Sequence, residues 1–333
     1  MNIPQSAFVL RPNPAEGNAP DPIPMIQPPA PPTSASTRFC TLWNSSKPSF
    51  KSVLFFLRAD THPEKIRRLP RSATLLLDLE DSIAPELKAA QRRRITELLE
   101  SGVLKGRKTM LRINGPDNPD EMRADLAQCI HPDLLGLMLP MVRSAMEVKE
   151  IAEMVSIEEK KRDLAPGHTC FVPLIERPAA VLEASAIALA SRRNVALAFG
   201  HADFCREMGA EMDEAAVQVP RSMVVMAAKA HGLEAISPVY LQLDDLAGFK
   251  AQNERMKRLG FDGCFALTPG QMHTALDVFG RTQEEIQGAR MVVAAIEAQG
   301  TVAQLDGRMI GPPMLKRALN ILADVQDSSR GVA

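Results

Sequence analysis

The sequence predicts an α/β protein whose main part is a single (β/α)8 TIM barrel, followed by a helical extension. Short apolar runs alternate with segments of helical period from residue 51 onward. This alternation is typical of a parallel sheet that helices cover on both faces. Eight such repeats follow one another in the chain, which favours a closed barrel over an open, doubly wound sheet.

The runs predicted to form strands are rich in leucine or β-branched residues, and they occupy residues 52–58, 73–79, 108–113, 134–139, 169–175, 195–199, 235–241 and 263–267. The run 235–241 is the weakest of them because it contains Pro238, which has no N–H to donate to a neighbouring strand. The clearest helical segments between the runs are 86–100, 144–160, 178–191, 220–231 and 244–259.

Three segments of different composition follow from this pattern. Residues 1–48 are rich in proline, most densely between Pro20 and Pro32, and proline is excluded from helix interiors and central strands. We therefore expect a disordered or extended arm there. Residues 49–281 form the predicted barrel. Residues 282–333, with a helix near 282–298 and a further segment at 302–327, form a helical extension that we expect to contact a neighbouring subunit in a homo-oligomer.

Composition excludes several classes of partner. The formal net charge is -1, from 39 basic and 40 acidic residues, so neither nucleic acid nor an anionic membrane is expected as a partner. A small anionic substrate remains compatible, because local charge decides its binding. The cysteines are scattered without a CxxC pair, which indicates reduced thiols and a cytoplasmic protein; they are Cys40, Cys129, Cys170, Cys205 and Cys264.

Charged residues follow four of the predicted strands. In barrels of this kind the functional residues lie at the carboxyl ends of the strands. The candidates are Asp78, Glu80 and Asp81 after the second strand, Arg112 after the third, Glu176 and Arg177 after the fifth, and His201 and Asp203 after the sixth. The alternative is that these charges are ordinary ion pairs at the rim, which becomes less attractive when four of them converge.

Glu176 and Asp203 are the predicted metal ligands. They follow adjacent strands, and two carboxylates completed by substrate oxygens and water are a usual Mg²⁺ site; Mn²⁺ is an acceptable substitute. Arg112 is predicted to bind a substrate carboxylate or carbonyl in a forked geometry. Glu80 and Asp81 are expected to face the site. A lone histidine in a loop is more often a hydrogen-bonding residue than a ligand, so His201 is given no role.

The motifs resemble the citrate lyase β-subunit-like group of the HpcH/HpaI aldolase superfamily. The matching runs are LLLDLEDSIAPELKAAQR (75–92), LRIN (111–114), GLMLPMV (136–142), PLIE (173–176), ALAFGHADF (196–204), PRSMVVMAAKAHGL (220–233), YLQLDDLAGF (240–249), LGFDGCFALTPGQ (259–271) and DGRMIGPPMLKRA (306–318). The resemblance implies a Mg²⁺-dependent lyase that cleaves a β-hydroxyacyl-CoA thioester of the citramalyl, malyl or citryl type. It also implies that Asp81 or Glu80 manages protons.

The sequence departs from the family pattern mainly at positions tied to the thioester. Arg58 and Ala59 stand in the places of a Pro-Gly pair, Met141 and Arg143 replace a lysine and a glutamate, and Arg177 replaces a threonine. Cys264 and Thr268 replace a lysine and a histidine, and Gly311 replaces an acid that reaches a partner's site in some members. It is therefore open whether the substrate is a coenzyme A thioester, and Arg58, Arg143 and Arg177 are candidates for binding another anionic group.

Two other functions stay open at this point. The GHAD run resembles the GPAD metal motif of class II aldolases that act on free 2-oxoacids. The altered positions are also compatible with a catalytically inactive metal-binding or assembly protein of the same fold, because function resides in sites and not in folds.

Overall fold

The computed structural model describes residues 53–330 of the chain, with the surroundings of side chains described for residues 53–323. The proline-rich arm predicted for residues 1–48 lies outside the described residues. Among the described residues, no helix is long and apolar enough to cross a membrane.

Eight parallel strands close into a barrel, in chain order around the ring. They are β1 (Val53–Phe56), β2 (Thr74–Asp78), β3 (Thr109–Arg112), β4 (Gly136–Leu139), β5 (Cys170–Ile175), β6 (Ala196–Phe199), β7 (Glu234–Ser237) and β8 (Gly263–Ala266). β1 pairs with both β2 and β8, which closes the ring. The predicted (β/α)8 barrel is therefore confirmed, and each predicted run overlaps one strand; β7 begins one residue before its run, at Glu234.

Helices connect the strands on the outside of the ring. They are α1 (Pro63–Arg68), α2 (Lys88–Glu100), α3 (Pro119–Cys129), α4 (Ala145–Lys161), α5 (Pro178–Leu182), α6 (Ala184–Leu189), α7 (His201–Met208), α8 (Glu214–Ala230), α9 (Leu246–Leu259) and α10 (Pro269–Phe279). The single helix predicted over 178–191 is two short helices that meet at Glu183. The helix predicted from residue 220 begins at 214, because Asp213 caps it by accepting a hydrogen bond from the N–H of Ala216 at 3.0 Å.

β7 ends before the proline that weakened its prediction. The strand stops at Ser237, and Pro238 begins the connection that leaves the sheet. This end is expected because proline cannot continue the hydrogen-bonded ladder. The predicted run 235–241 was therefore too long at its carboxyl end.

The alternation of side chains along each strand separates two buried layers. Leu75 and Leu77 belong to the layer between barrel and helices, whereas Leu76 belongs to the layer inside the ring. Asp78 is two residues beyond Leu76 and shares its inward direction. The same period carries Arg112, Glu176 and other inward residues to the mouth of the ring.

The segment after the barrel contains a hairpin as well as helices. α11 (Gln283–Gln299) and α12 (Pro312–Arg330) flank the antiparallel pair β9 (Ala303–Leu305) and β10 (Arg308–Ile310). The sequence interpretation of 282–333 as a helical extension missed this pair. Its turn is Asp306-Gly307, with φ of 50° and 75°, and Asp-Gly is the residue pair that two-residue hairpins favour.

Candidate active site

A cavity of about 680 Å³ opens at the carboxyl ends of the barrel strands. Among the residues predicted at strand ends, the charged side chains that line it are Asp78, Arg112, Glu176 and Asp203. They come from the ends of β2 and β3, from the residue after β5 and from the start of α7, so they lie on the one rim that the strand-end rule predicted. Glu80, Asp81 and Arg177 are not among the described residues that line this cavity.

Arg112 is held by two carboxylates. Its Nε and Nη2 each donate to Asp78, at 2.7 Å to Oδ1 and 2.7 Å to Oδ2. Its Nη1 lies 2.7 Å from Glu80 Oε2. Burial opposes the charge on Asp78, but the hydrogen bonds from Arg112 outweigh it and keep the pKa of Asp78 below its ordinary value. Both carboxylates raise the pKa of Arg112 against the opposing effect of burial, so this guanidinium is a fixed positive charge.

The fork of Arg112 leaves part of its donor capacity for a ligand. A guanidinium carries five N–H groups; Asp78 accepts one from Nε and one from Nη2, and Nη1 forms an ion pair with Glu80. One N–H on each terminal nitrogen remains, and this pair suits end-on binding of a carboxylate. The guanidinium also lies over the Phe56 ring, 5.2 Å from its centroid, which fixes its plane further.

Glu80 and Asp81 have different surroundings although they are neighbours in sequence. Glu80 is buried, and burial outweighs the attraction of Arg112 and raises the pKa of Glu80 to about 7. The negative charges of Asp81 and Asp78 act in the same direction. Asp81 itself is exposed. Of the two residues predicted to manage protons, Glu80 is the buried one, and its pKa is near neutrality.

Glu176 is a buried carboxylate, 3% exposed, held in one orientation. Its Oε1 accepts a hydrogen bond of 2.7 Å from the N–H of Met141, and Met141 adopts a φ of 55°. Burial, followed by the charges of Glu80 and Asp203, raises the pKa of Glu176 well above its ordinary value. Its other oxygen lies against Gly200, where an added Cβ would come within 2.5 Å of Oε2.

Asp203 lies in the first turn of α7 and is partly exposed in the cavity. The helix N-terminus favours a negative side chain there. Its Oδ1 pairs with Arg206 Nη2 at 2.7 Å, and Arg206 is largely exposed. An exposed pair of this kind is worth little, so it does not prevent Asp203 from binding a cation.

The donor set fits Mg²⁺. Glu176 is buried beside two other carboxylates, so its charged form needs a cation, and Asp203 offers a second carboxylate on the same side. Among the described residues no group of three or more His, Cys, Asp or Glu side chains is arranged for a metal ion. Two hard oxygen ligands with the remaining positions taken by substrate and water are the usual arrangement for Mg²⁺, and Mn²⁺ accepts the same ligands.

The three additional arginines occupy different places. Arg58 is exposed at the mouth of the cavity and pairs with Asp60 at 2.7 Å. Arg177 pairs with Asp117 and with Glu207 at 2.8 Å, and Arg143 also pairs with Asp117. The structure therefore brings Arg58 to the cavity, whereas Arg177, expected to bind substrate, is engaged in a rim network beside it.

Three residues that depart from the family pattern, one on β8 and two after it, do not line the cavity. Cys264 is fully buried in the layer between barrel and helices. The Thr268 hydroxyl accepts from the N–H of Gln271 at 3.2 Å and begins α10. Gly311 lies between β10 and α12, outside the lining of the cavity. His201 does line it, and burial together with Arg221 lowers its pKa.

A buried polar network that sequence reasoning missed supports the rim. Lys88 donates to the carbonyls of Leu79 and Glu80 at 2.9 and 3.1 Å and to Asn114 at 2.5 Å. Asp125 accepts from Asn114 and from Arg92 and is itself fully buried; the bonds are 2.7 Å from Asn114 Nδ2 and 3.0 Å from Arg92 Nε. The network fixes the backbone after β2 and β3. Its sequence signal was two basic residues four apart on the buried face of a helix.

Fold and site together define a (β/α)8-barrel enzyme whose rim combines carboxylates with a fixed guanidinium. The profile of the HpcH/HpaI aldolase/citrate lyase family matches residues 51–269. Citrate lyase subunit beta of Escherichia coli K12 is 30% identical over 255 residues, which are 75% of this chain and 84% of that protein. Mitochondrial citramalyl-CoA lyase of Mus musculus is 29% identical over 303 residues, 86% of this chain and 88% of that protein.

A solved structure gives the same assignment. The crystal structure of CitE from Mycobacterium tuberculosis, in complex with magnesium, acetoacetate and coenzyme A, superimposes with a TM-score of 0.65 at 25% identity and covers 81% of this chain and 96% of that one. The chain belongs to the HpcH/HpaI aldolase/citrate lyase family and is a lyase of that family. The resemblance predicted from the motif runs is confirmed.

Proposed function

We propose that this chain is a Mg²⁺-dependent lyase that cleaves a carbon–carbon bond in a β-hydroxyacyl-CoA thioester of the citramalyl, malyl or citryl type. The observation that carries the proposal is the convergence of Glu176, Asp203 and the doubly paired Arg112 on one cavity wall. The relatives that act on citrate or citramalyl-CoA support the reaction class.

In the proposed reaction the bond between the hydroxyl-bearing carbon and the α-carbon of the thioester breaks. The hydroxyl-bearing carbon becomes the carbonyl carbon of a 2-oxoacid, and the electron pair goes to the α-carbon as an enolate. The proton that leaves the hydroxyl group ends on that α-carbon, which gives the shorter acyl thioester. The site therefore has to bind an acid, remove and return one proton, and stabilise negative charge.

Glu176 and Asp203 would hold Mg²⁺, which when bound supplies a Lewis acid that polarises the substrate oxygens. Arg112 binds the carboxylate of the acid half through its two remaining N–H groups, and Asp78 keeps the fork oriented. Glu80 does not line the cavity itself, but it pairs at 2.7 Å with Arg112, which does, and its pKa is about 7; we therefore favour it as the proton carrier, because a carrier works best near the ambient pH. Arg58 at the mouth of the cavity is suited to binding the anionic coenzyme A part of the substrate.

The test is incubation of the purified protein and Mg²⁺ with malyl-, citramalyl- and citryl-CoA, with products identified by mass spectrometry. We expect a 2-oxoacid (oxaloacetate from citryl-CoA) and a shortened acyl-CoA from at least one of them, and no product with a chelator. Release of free coenzyme A and an intact hydroxyacid would indicate thioester hydrolysis instead. Cleavage of free 2-oxoacid aldols, with no thioester cleaved, would replace the proposal by the class II aldolase.

A further inference from the structure

The cavity has two chemically different walls. The charged side chains that we call the polar wall are Asp78, Arg112, Glu176 and Asp203, on the side of β2 to β6, which also contributes the apolar Met138, Leu174 and Phe199. The opposite side, formed by the ends of β7, β8 and β1, contributes five apolar side chains that we call the apolar wall: Val239, Leu241, Phe265, Leu267 and Phe56. None of these five side chains carries a hydrogen-bonding group. Leu57, Arg58 and Asp60 follow β1 on this side, and Arg58 and Asp60 pair with each other at 2.7 Å.

The apolar wall begins where the bound acid group would end. The Arg112 guanidinium carbon lies over the Phe56 ring, 5.2 Å from its centroid, and the centroids of the Phe56 and Phe265 rings are 5.8 Å apart. In the proposed substrate one carbon carries the hydroxyl group, the carboxylate and one further substituent. If Arg112 binds the carboxylate, the further substituent is only one or two bonds from that carboxylate and therefore lies next to Phe56.

The chemistry of the wall selects among the possible substituents. A carboxymethyl group would place a second carboxylate against side chains that offer no partner, and an unpaired buried charge is costly. The amide groups of a pantetheine arm would lose their hydrogen bonds on this wall for the same reason. An alkyl group loses no hydrogen bond there and is stabilised by the burial of its apolar surface.

We propose, on the basis of the function proposed above, that the substituent on the hydroxyl-bearing carbon of the preferred substrate is an alkyl chain, with longer chains bound more tightly, and neither hydrogen nor a carboxymethyl group. The corresponding product is a 2-oxoacid with the same alkyl group. In this proposal the polar wall binds the acid and the cation, and the apolar wall sets the specificity for the substituent.

Binding of the product acids tests this without requiring turnover. Calorimetry with Mg²⁺ present compares 2-oxoacids that carry hydrogen, methyl, ethyl, propyl or carboxymethyl groups. We expect affinity to rise about tenfold or more from hydrogen to propyl, because one methylene in an apolar pocket changes specificity by roughly 10- to 200-fold. The carboxymethyl acid should bind more weakly than the propyl acid. Equal affinities, or tightest binding of the carboxymethyl acid, would overturn the inference.

Leu267→Asn supplies the matched variant, because Leu267 lines the cavity and its backbone N–H, which donates to Gln271 Oε1 at 2.8 Å, is unchanged. We expect it to abolish the alkyl preference while glyoxylate, the hydrogen member, binds as before. Leu276→Asn, at a partly buried leucine of α10 that does not line the cavity, is the control and should keep the preference.

Leu241→Asn gives a second, safer variant, since this side chain is 47% exposed and its replacement does not threaten folding. The two proposals fail separately. An alkyl preference in binding with no cleavage of any thioester would refute the lyase function and leave the ligand class standing. Cleavage with a flat substituent profile would refute only the alkyl preference.

Discussion

Gly200 and Glu176 are so close that no side chain fits between them: a Cβ on Gly200 would lie 2.5 Å from Glu176 Oε2 and 2.7 Å from its Cβ. The backbone of Gly200 has a φ of -102°, which any residue adopts, so the requirement for glycine here is contact and not conformation. The orientation of the buried carboxylate therefore depends on the absence of a side chain at position 200.

Gly200→Ala should displace the Glu176 carboxylate and weaken Mg²⁺ binding by at least about tenfold, which corresponds to roughly 1.4 kcal/mol. Calorimetric titration with Mg²⁺ measures this directly. The matched control is Gly288→Ala in α11, where an added Cβ meets no atom within 4 Å. This control should bind Mg²⁺ normally and be slightly more stable, because alanine favours helix over glycine. Unchanged Mg²⁺ affinity in Gly200→Ala would contradict the proposed role of Glu176.

The second prediction concerns the fork of Arg112. Arg112→Lys keeps the positive charge but cannot satisfy Asp78 and Glu80 together or present two N–H groups to a carboxylate. We expect kcat/KM to fall at least about 100-fold and the free energy of unfolding to fall by roughly 2 to 4 kcal/mol, since the buried Asp78 loses two hydrogen bonds and the ion pair with Glu80 is disturbed. Denaturant titration and steady-state kinetics measure the two effects.

Arg123→Lys is the control for this substitution. Arg123 pairs with Asp120 on the surface, and both side chains are largely exposed. Such pairs contribute little, so neither stability nor kcat/KM should change appreciably. If Arg112→Lys behaved like this control, Arg112 would have no special role in the site.

The third prediction concerns pH and Glu80. The pKa of Glu80 is about 7 in the folded protein against 4.5 for the free side chain. Because the folded pKa is the higher one, the folded state binds the proton more tightly, and Glu80 lowers stability as pH rises from about 4.5 to about 7. The loss is on the order of 3 kcal/mol and is complete above that range.

Glu80→Gln removes this titration. In the presence of a chelator, the difference in unfolding free energy between Glu80→Gln and wild type should grow in favour of the variant between pH 4.5 and 7 and then level off. Glu64→Gln, at an exposed residue paired with Arg67, is the matched control substitution and is measured over the same pH range. A difference for Glu80→Gln that is constant with pH would mean that Glu80 is not perturbed.

The fourth prediction separates the additional arginines. Arg58→Met should raise KM for an anionic substrate severalfold with little change in kcat, because Arg58 lies at the mouth of the cavity. Arg177→Met should leave KM within about twofold, since Arg177 is engaged with Asp117 and Glu207. Steady-state kinetics on the same substrate decide between them. A large KM effect of Arg177→Met alone would show that the rim network opens to bind substrate.

Much of the site could be predicted from the sequence because it depends on strand ends. Once the apolar runs are placed, the closed barrel brings the residues that follow them to one rim, and this located Asp78, Arg112, Glu176 and Asp203. The alternation of side chains within a strand also distinguishes Glu176 from Arg177. Glu176 shares the inward direction of Leu174, so Arg177, one residue later, points away from the ring.

The remaining features depend on contacts between distant segments, which a local pattern does not encode. The pairing of Lys88 with Asn114 joins α2 to the loop after β3. The close approach of Gly200 to Glu176 depends on how β5 and β6 lie side by side. The apolar wall was missed for a different reason: its residues look like ordinary core residues in sequence, and only the closed ring shows that Phe265 and Leu267 border the cavity.

The most direct test of the account is the binding of Mn²⁺, a spectroscopic substitute for Mg²⁺, to wild type, Glu176→Gln and Asp203→Asn, measured by electron paramagnetic resonance. We predict one Mn²⁺ per chain in the wild type, displaced by Mg²⁺, and at least tenfold weaker binding in each variant, with turnover lost in parallel. Wild-type affinity in both variants would contradict the assignment of these two carboxylates as the metal site and, with it, the proposed lyase chemistry.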